Sequence, residues 1–339
     1  MKKIIFAPLA LVVFITSCTS NSESTEPAPA PAKTSTQLFT SSNTTGKVSF
    51  LDLETANPTV KSFAINSLDA DGVYYDNLKD EVIVASRSNN KVEAYGNFTA
   101  AVKDGLSTLA LTSSSTSDFT NSREIAVAGD KIIVAQDQNA SNNLTNKFIV
   151  YTKFDSGLIS FTASYTLNFK AWSMQMVGNT LFAIADATGD LVIFNNFLSN
   201  PSGPITPSKR VTIQGLVRTH GITISEADNR MILTDVGSAT SDSDGGIIVI
   251  NNYNSVLSAT ANAGTVMTTD QVRIYGPNST LGNPVDVAYD NITKKIYIAE
   301  RLNMGGRVLT FALPTTNADA SPENARVEPG VTSVYLFKK

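Results

Sequence analysis

The chain has 339 residues, 17% of them charged, with 26 basic against 30 acidic side chains, one cysteine and one histidine. No basic block stands against that acidic excess, which excludes nucleic acid as a natural partner. A single cysteine excludes a disulfide framework and any metal centre built on several thiolates.

Lys2 and Lys3 precede an apolar run from Ile4 to Ile15, followed by Thr16, Ser17 and Cys18. A basic start, a short apolar core and small residues before a cut describe a secretory signal over residues 1–17, too short to span a bilayer. Ile15-Thr16-Ser17-Cys18 resembles the bacterial lipoprotein processing box, and the resemblance implies that Cys18 becomes the lipid-modified, palmitate-bearing N-terminus. Each buried methylene contributes about 0.8 kcal/mol, so several chains hold firmly where one holds weakly. The expectation is a protein that sits on a membrane without crossing it. Loss of Lys2 and Lys3 with the signal leaves 24 basic against 30 acidic residues, a net charge of −6. Residues 18–36 form a Pro/Ala/Ser tether with the alternation Pro27-Ala28-Pro29-Ala30-Pro31, an extended spacer without a core. Only Glu23 and Glu26 follow the cysteine closely, and by analogy with known sorting signals this points to the outer membrane of a cell envelope, in either leaflet.

Residues 37–339 are written in short strands. Leu38–Thr40, Lys47–Leu51 and Val60–Ile65 come first, and then one phrase recurs at intervals near fifty residues. It pairs Val73-Tyr74-Tyr75-Asp76 with Val82-Ile83-Val84-Ala85, and Ile125-Ala126-Val127 with Ile132-Ile133-Val134-Ala135. Leu181–Ala185 continues it, followed by Ile222-Thr223-Ile224 with Met231-Ile232-Leu233-Thr234, and Val287–Asp290 with Ile296-Tyr297-Ile298-Ala299. A third strand follows each unit: Lys91–Tyr95, Phe148–Lys153, Leu191–Phe194, Gly246–Ile250 and Arg307–Phe311. Fourth strands are legible at Thr162–Leu167, Val211–Gln214 and Val272–Tyr275. Continuous apolar runs mark strands buried on both faces. A strand-only repeat of this period predicts an all-β, six-bladed β-propeller, with seven blades as the alternative. The lone strand Val331–Leu336 is expected to complete the blade begun by the first three, closing the ring.

Gly221–Ile224 with Arg230–Asp235 and Gly246–Ile250 resembles the NHL repeat. Asn283-Pro284 through Asp290, with Ile296–Glu300 and Arg307–Phe311, resembles it more closely. The resemblance implies a six-bladed fold that in its relatives serves either as a protein-binding scaffold or as a gluconolactonase-like hydrolase or a lyase.

Adjacent strands run antiparallel, so the start of each first strand meets the end of each second strand on one face. The starts give Asp71, Arg123 with Glu124, Trp172, His220 and Asp286; the ends give Ser86 with Arg87, Gln136 with Asp137, Asp186, Asp235 and Glu300 with Arg301. This set holds the only Trp and the only His. Arg87, Arg123, Trp172, His220, Asp286 and Arg301 read as a ligand-binding set, because an indole offers a stacking face and guanidinium groups fork onto acceptors. The opposing reading is a ring of paired charges that plugs the channel. Asp186, Asp235 and Glu300, read as equivalent positions in three blades, are oxygen donors that suit Ca2+. His220 could act as a general base. Asp242-Ser243-Asp244-Gly245-Gly246 resembles part of an EF-hand loop but lacks its first and last ligands, and reads as a hairpin turn.

No Gly-x-Ser-x-Gly elbow, phosphate-cradling glycine loop or His-Glu-x-x-His motif is present. The functional expectation is therefore a lipid-anchored envelope module that binds a protein, peptide or glycan. The alternative is a divalent-metal-dependent hydrolase or lyase at the channel mouth. Asn251–Asp270 and Thr315–Gly330 read as long docking loops over the rigid frame.

Overall fold

The computed structural model describes residues Thr34–Lys339, which form one compact unit. The expected signal, the expected lipidation site Cys18 and all but the end of the expected tether lie outside the described residues. Six antiparallel sheets of four principal strands stand in a ring, so the blades number six and not seven. Blade 1 consists of Val331–Lys338, Thr36–Ser42, Lys47–Asp52 and Lys61–Ala64. Blade 2 is Ala70–Asp76, Glu81–Ser86, Lys91–Gly96 and Ala110–Ser114; blade 3 is Ser122–Ala128, Lys131–Gln136, Asn146–Lys153 and Ile159–Leu167. Blade 4 is Ala171–Val177, Thr180–Ala185, Asp190–Phe194 and Lys209–Ile213; blade 5 is Thr219–Ser225, Arg230–Asp235, Gly246–Asn251 and Val272–Tyr275. Pro284–Asp290, Lys295–Glu300, Arg307–Ala312 and Asn324–Val327 complete blade 6.

Blade 1 closes the ring as its sequence predicts. Thr36–Ser42 pairs along its length with Val331–Lys338, Thr36 opposite Lys338 and Thr40 opposite Val334. Ser35 and Lys339 then exchange two backbone hydrogen bonds of 2.9 Å. Six apolar clusters hold the blades face to face, one at each interface including the one between blades 6 and 1. Strands such as Val82–Ala85 and Ile132–Ala135 are buried throughout because both of their faces serve such clusters.

The two proposed docking loops are largely consumed by the fold. Asn251–Asp270 contains the helix Tyr253–Ala259, whose Tyr253 and Leu257 are buried against blades 4 and 5. It also contains Thr265–Val266, which pairs in parallel with the outer strand of blade 4. Thr315–Gly330 holds the fourth strand of blade 6. A similar back-reach places Gly203–Pro204 beside the outer strand of blade 3, and single bridges join Ala64 to Thr108 and Ile274 to Ala318. In blades 2, 4, 5 and 6 the connection between the third and fourth strands thus covers the preceding blade's open edge, the usual place for unwanted pairing.

Candidate functional site

The six first strands lie side by side around the axis. Their second residues, counted from the upper face, are Asp71, Arg123, Trp172, His220, Val285 and Thr332. Their third residues are Gly72, Glu124, Ser173, Gly221, Asp286 and Ser333. Asp286 therefore lies one layer below the ring in which its sequence position placed it. Its neighbours in the chain explain the shift, since the strand starts at Pro284 opposite Glu300, as Thr219 starts opposite Asp235.

A second offset separates the three carboxylates read as a metal set. The residue following each second strand donates its backbone N–H to the carbonyl just before the first strand of its own blade. Arg87 does so to Asp69, Asp137 to Asn121, Asp186 to Lys170, Val236 to Arg218, Arg301 to Asn283 and Asn43 to Gly330. Asp186 belongs to this series. Asp235 and Glu300 are instead the last residues of their strands, one position earlier, and such a step turns the side chain to the other face. Glu300 accepts hydrogen bonds from the backbone N–H groups of Gly282, Asn283, Leu302 and Asn303 at 2.8–3.0 Å. Asp235 accepts from Val217 and Arg218 N–H and from the Tyr275 hydroxyl. Both carboxylates stitch loops, as Ser86 and Gln136 do at the same position in blades 2 and 3. Asp186, Asp235 and Glu300 do not converge, and among the described residues no three acid, histidine or cysteine side chains are arranged to hold a metal ion. Asp244 of the EF-hand-like segment accepts from Ser238 N–H within its own loop.

The upper layer is a stack of planes held by ion pairs. His220 lies parallel to Trp172, ring centroids 3.7 Å apart and planes inclined by 6°. The Arg123 guanidinium sits over the Trp172 ring, 4.3 Å from its centroid. Arg123 donates to Asp137 at 2.9 Å, and His220 Nε2 lies 3.0 Å from Asp186 Oδ1, to which Arg218 Nε also donates at 2.9 Å. Arg87 reaches Asp71 at 3.3 Å and Asp69 at 3.6 Å. With its amide oxygen turned toward it, Asn43 accepts from Arg301 at 2.7 Å. Arg87, Arg123, Trp172, His220 and Arg301 are thus brought to one face and engaged with protein partners there.

Burial opposes the charge on Asp186, but His220 and Arg218 outweigh it and hold the carboxyl well below the usual range. Burial lowers His220 to about 4 despite Asp186. The ring is neutral at neutral pH; its Nε2 lies between Asp186 Oδ1 at 3.0 Å and Arg218 Nε at 3.2 Å, and its Nδ1 is buried without a partner among the described residues. With 2% of its surface exposed and one face against Trp172, His220 cannot meet a substrate as a base.

Below this plug the channel opens into a chamber of 360 Å³. Its upper layer, including Glu124, Ser173 and Asp286, is buried, whereas Tyr74, Gln175, Thr223, Tyr289 and Tyr335 near the other end are partly exposed. The chamber therefore opens on the lower face, where the first strands end. Sequence reasoning missed this side because its lining of Val, Ile, Ala and Met is indistinguishable from blade core. It also missed Arg218, which stands just before its strand and left no repeat signal.

No family model matches this sequence, and no curated protein matches it significantly. Solved structures do resemble it. A chain of the nidogen/laminin complex is 13% identical, with 90% of this chain and 98% of that one covered and a TM-score of 0.60. A candidate 6-phosphogluconolactonase from Bacteroides fragilis is 10% identical, with 91% and 99% covered and a TM-score of 0.61. A second candidate 6-phosphogluconolactonase, from Bacteroides uniformis, is 11% identical, with 90% and 99% covered and a TM-score of 0.58. At such identities the likeness establishes a propeller fold and carries no chemistry.

Proposed function

We propose that this protein is a lipid-anchored cell-envelope binding module, not an enzyme, and that its ligand enters the central channel from the lower face. One observation carries this reading: each acid and the histidine brought to the upper mouth is already paired inside the protein. Asp186 is held by Arg218 and His220, Asp137 by Arg123, and Asp71 by Arg87. Breaking such buried pairs to free a catalytic group costs roughly 3–5 kcal/mol each. A gluconolactonase-like hydrolase would need oxygen donors at this mouth for its divalent ion, and Asp235 and Glu300 are committed to backbone N–H groups. The nidogen/laminin complex is a case in which a propeller of this shape is part of a protein–protein assembly. Anchorage through Cys18 rests on the processing-box resemblance and the tether.

The test uses the domain Thr34–Lys339, whose ring closes within itself. Sugar lactones would be incubated with it in a pH-stat, with Ca2+, Mg2+ or Zn2+ and then with EDTA. Envelope glycan fragments, peptides and small amines would be titrated calorimetrically. Saturable binding without turnover supports the module; EDTA-sensitive turnover that survives purification overturns it.

A further inference from the structure

The third-residue layer has a two-fold pattern that the binding-module reading does not by itself require. Around the axis it runs Gly72, Glu124, Ser173 and then Gly221, Asp286, Ser333. The glycines make room for the acids. A Cβ on Gly72 would meet the Glu124 carboxyl at 2.8 Å, and one on Gly221 would meet Asp286 Cα at 2.9 Å. Each acid accepts from the N–H of the residue after it at 2.8 Å, Glu124 from Ile125 and Asp286 from Val287. Here the halves part. Ser333 donates to Asp286 at 3.1 Å, as does Val334 N–H at 2.7 Å. Ser173, 3% exposed and lining the chamber, has no hydrogen-bond partner among the described residues.

Two carboxyls, a free hydroxyl and a chamber at the small end of the roughly 300–1,000 Å³ range of ligand pockets make a built site. At its open end Tyr74 and Tyr335 pack on each other, ring centroids 4.9 Å apart, and offer an aromatic border to the organic part of a ligand. We propose that the chamber binds the ammonium group of a small organic cation between Glu124 and Asp286, with Ser173 accepting one of its hydrogen bonds and the packed pair Tyr74 and Tyr335 lying beside its organic part. This rests on the binding-module reading and specifies its ligand class. A metal ion fits the layer less well, because the acids do not form a coordinating set of three.

The charge balance agrees. Burial raises both Glu124 and Asp286, and Asp71 just above them is pushed up to about 7. Arg87, Arg123 and Arg301 act on Asp71 from above the layer, while the titratable groups lining the open end are the tyrosines Tyr74, Tyr289 and Tyr335. An arriving cation supplies the missing positive charge and expels a proton.

The experiment titrates Thr34–Lys339 with n-butylammonium, with 1-pentanol and pentanoate as neutral and anionic counterparts. A lysyl tripeptide and its side-chain-acetylated form distinguish a free amine from an ammonium carried by a peptide. The expected result is saturable binding of the ammonium compounds alone, about tenfold weaker at pH 6 than at pH 8 through competition by one proton. Glu124→Gln and Asp286→Asn should each lose at least tenfold in affinity. Their far-UV spectra and melting points show whether the fold is kept, and Ser173→Ala supplies a variant with minimal risk to folding. Equal binding of pentanol or pentanoate, or undiminished affinity in folded Glu124→Gln, overturns the proposal. Binding of a glycan without any ammonium binding overturns it while leaving the module reading intact; lactone turnover overturns both.

Discussion

The imidazole of His220 and the indole of Trp172 are parallel to within 6° at 3.7 Å, and Arg123 closes the other face of the indole. Three residues from three successive blades thus form one stack across the channel mouth. Such contacts contribute about 0.5–2 kcal/mol each where water is excluded.

Trp172 is the only tryptophan, so its fluorescence reports on this stack alone. Burial lowers His220 to about 4, so the ring becomes an imidazolium quencher only in strong acid. Emission should fall with a midpoint near pH 4, and His220→Gln should abolish that step. A midpoint near 6.5 would mean an imidazole open to water, contrary to the stack.

Stability should rise as pH falls from 8 toward 6.5. Asp71, raised to about 7, binds its proton more readily folded than unfolded, so this group's contribution is lost as pH rises from about 4 through 7. Glu124 and Asp286 act in the same direction. His220 opposes them: its folded pKa is lowered, so its contribution is lost as pH falls from 6.5 to about 4. Urea midpoints at pH 5, 6.5 and 8 measure the balance. Asp71→Asn should remove this group's share of the change between pH 8 and pH 5, on the order of 2–3 kcal/mol, most of it below pH 7.

Removing one member of the mouth network should be costly. Asp186→Ala leaves Arg218 and His220 without their acceptor and should destabilise by about 3–5 kcal/mol. Glu300→Gln retains the shape but weakens four N–H contacts, at about 1–3 kcal/mol. EDTA should leave the melting point of the native domain unchanged. A drop reversed by Ca2+ would contradict the assignment of these acids to structure.

Gly72 has φ of +85° and sits 2.6 Å, at its virtual Cβ, from the backbone N of Ile125. Gly72→Ala combines left-handed strain with a clash against backbone, and should cost at least 2 kcal/mol by chemical denaturation. Gly105, at φ of +66° with open space around it, is the control: its alanine variant carries the strain without the clash.

If Cys18 carries the anchor, full-length Cys18→Ala should lose incorporation of an alkynyl palmitate and leave the membrane fraction, while the propeller's melting point stays the same. Labelling that persists in the variant would remove the lipoprotein reading.

The blades could be counted from sequence because their inner strands are buried twice over, so runs such as Ile132–Ala135 repeat without polar interruption. Outer strands lack that pressure. Ala110–Ser114 and Asn324–Val327 are mostly exposed and left no apolar pattern to find. The mouth residues were legible as a group, since charge at a strand start is unusual, but their directions were not. Ala185 lies where other blades carry Ser86, Gln136, Asp235 and Glu300, so the acid in blade 4 had slipped by one to Asp186. Asp286 slipped likewise into the layer below. A repeat of apolar strands fixes the period well, and fixes single polar residues at its ends only to within one position.

The closing blade also decides how the domain takes load. A pull delivered through Thr34 enters along Thr36–Ser42, which is held on one side by Val331–Lys338 and on the other by Lys47–Asp52. Force along that strand loads two ladders in shear, so many hydrogen bonds must yield together and none can be peeled singly. The same arrangement puts the last strand of the ring in charge of the first: until Val331–Lys338 has folded into place, the ring stands open and Thr36–Ser42 has only one of its two ladders.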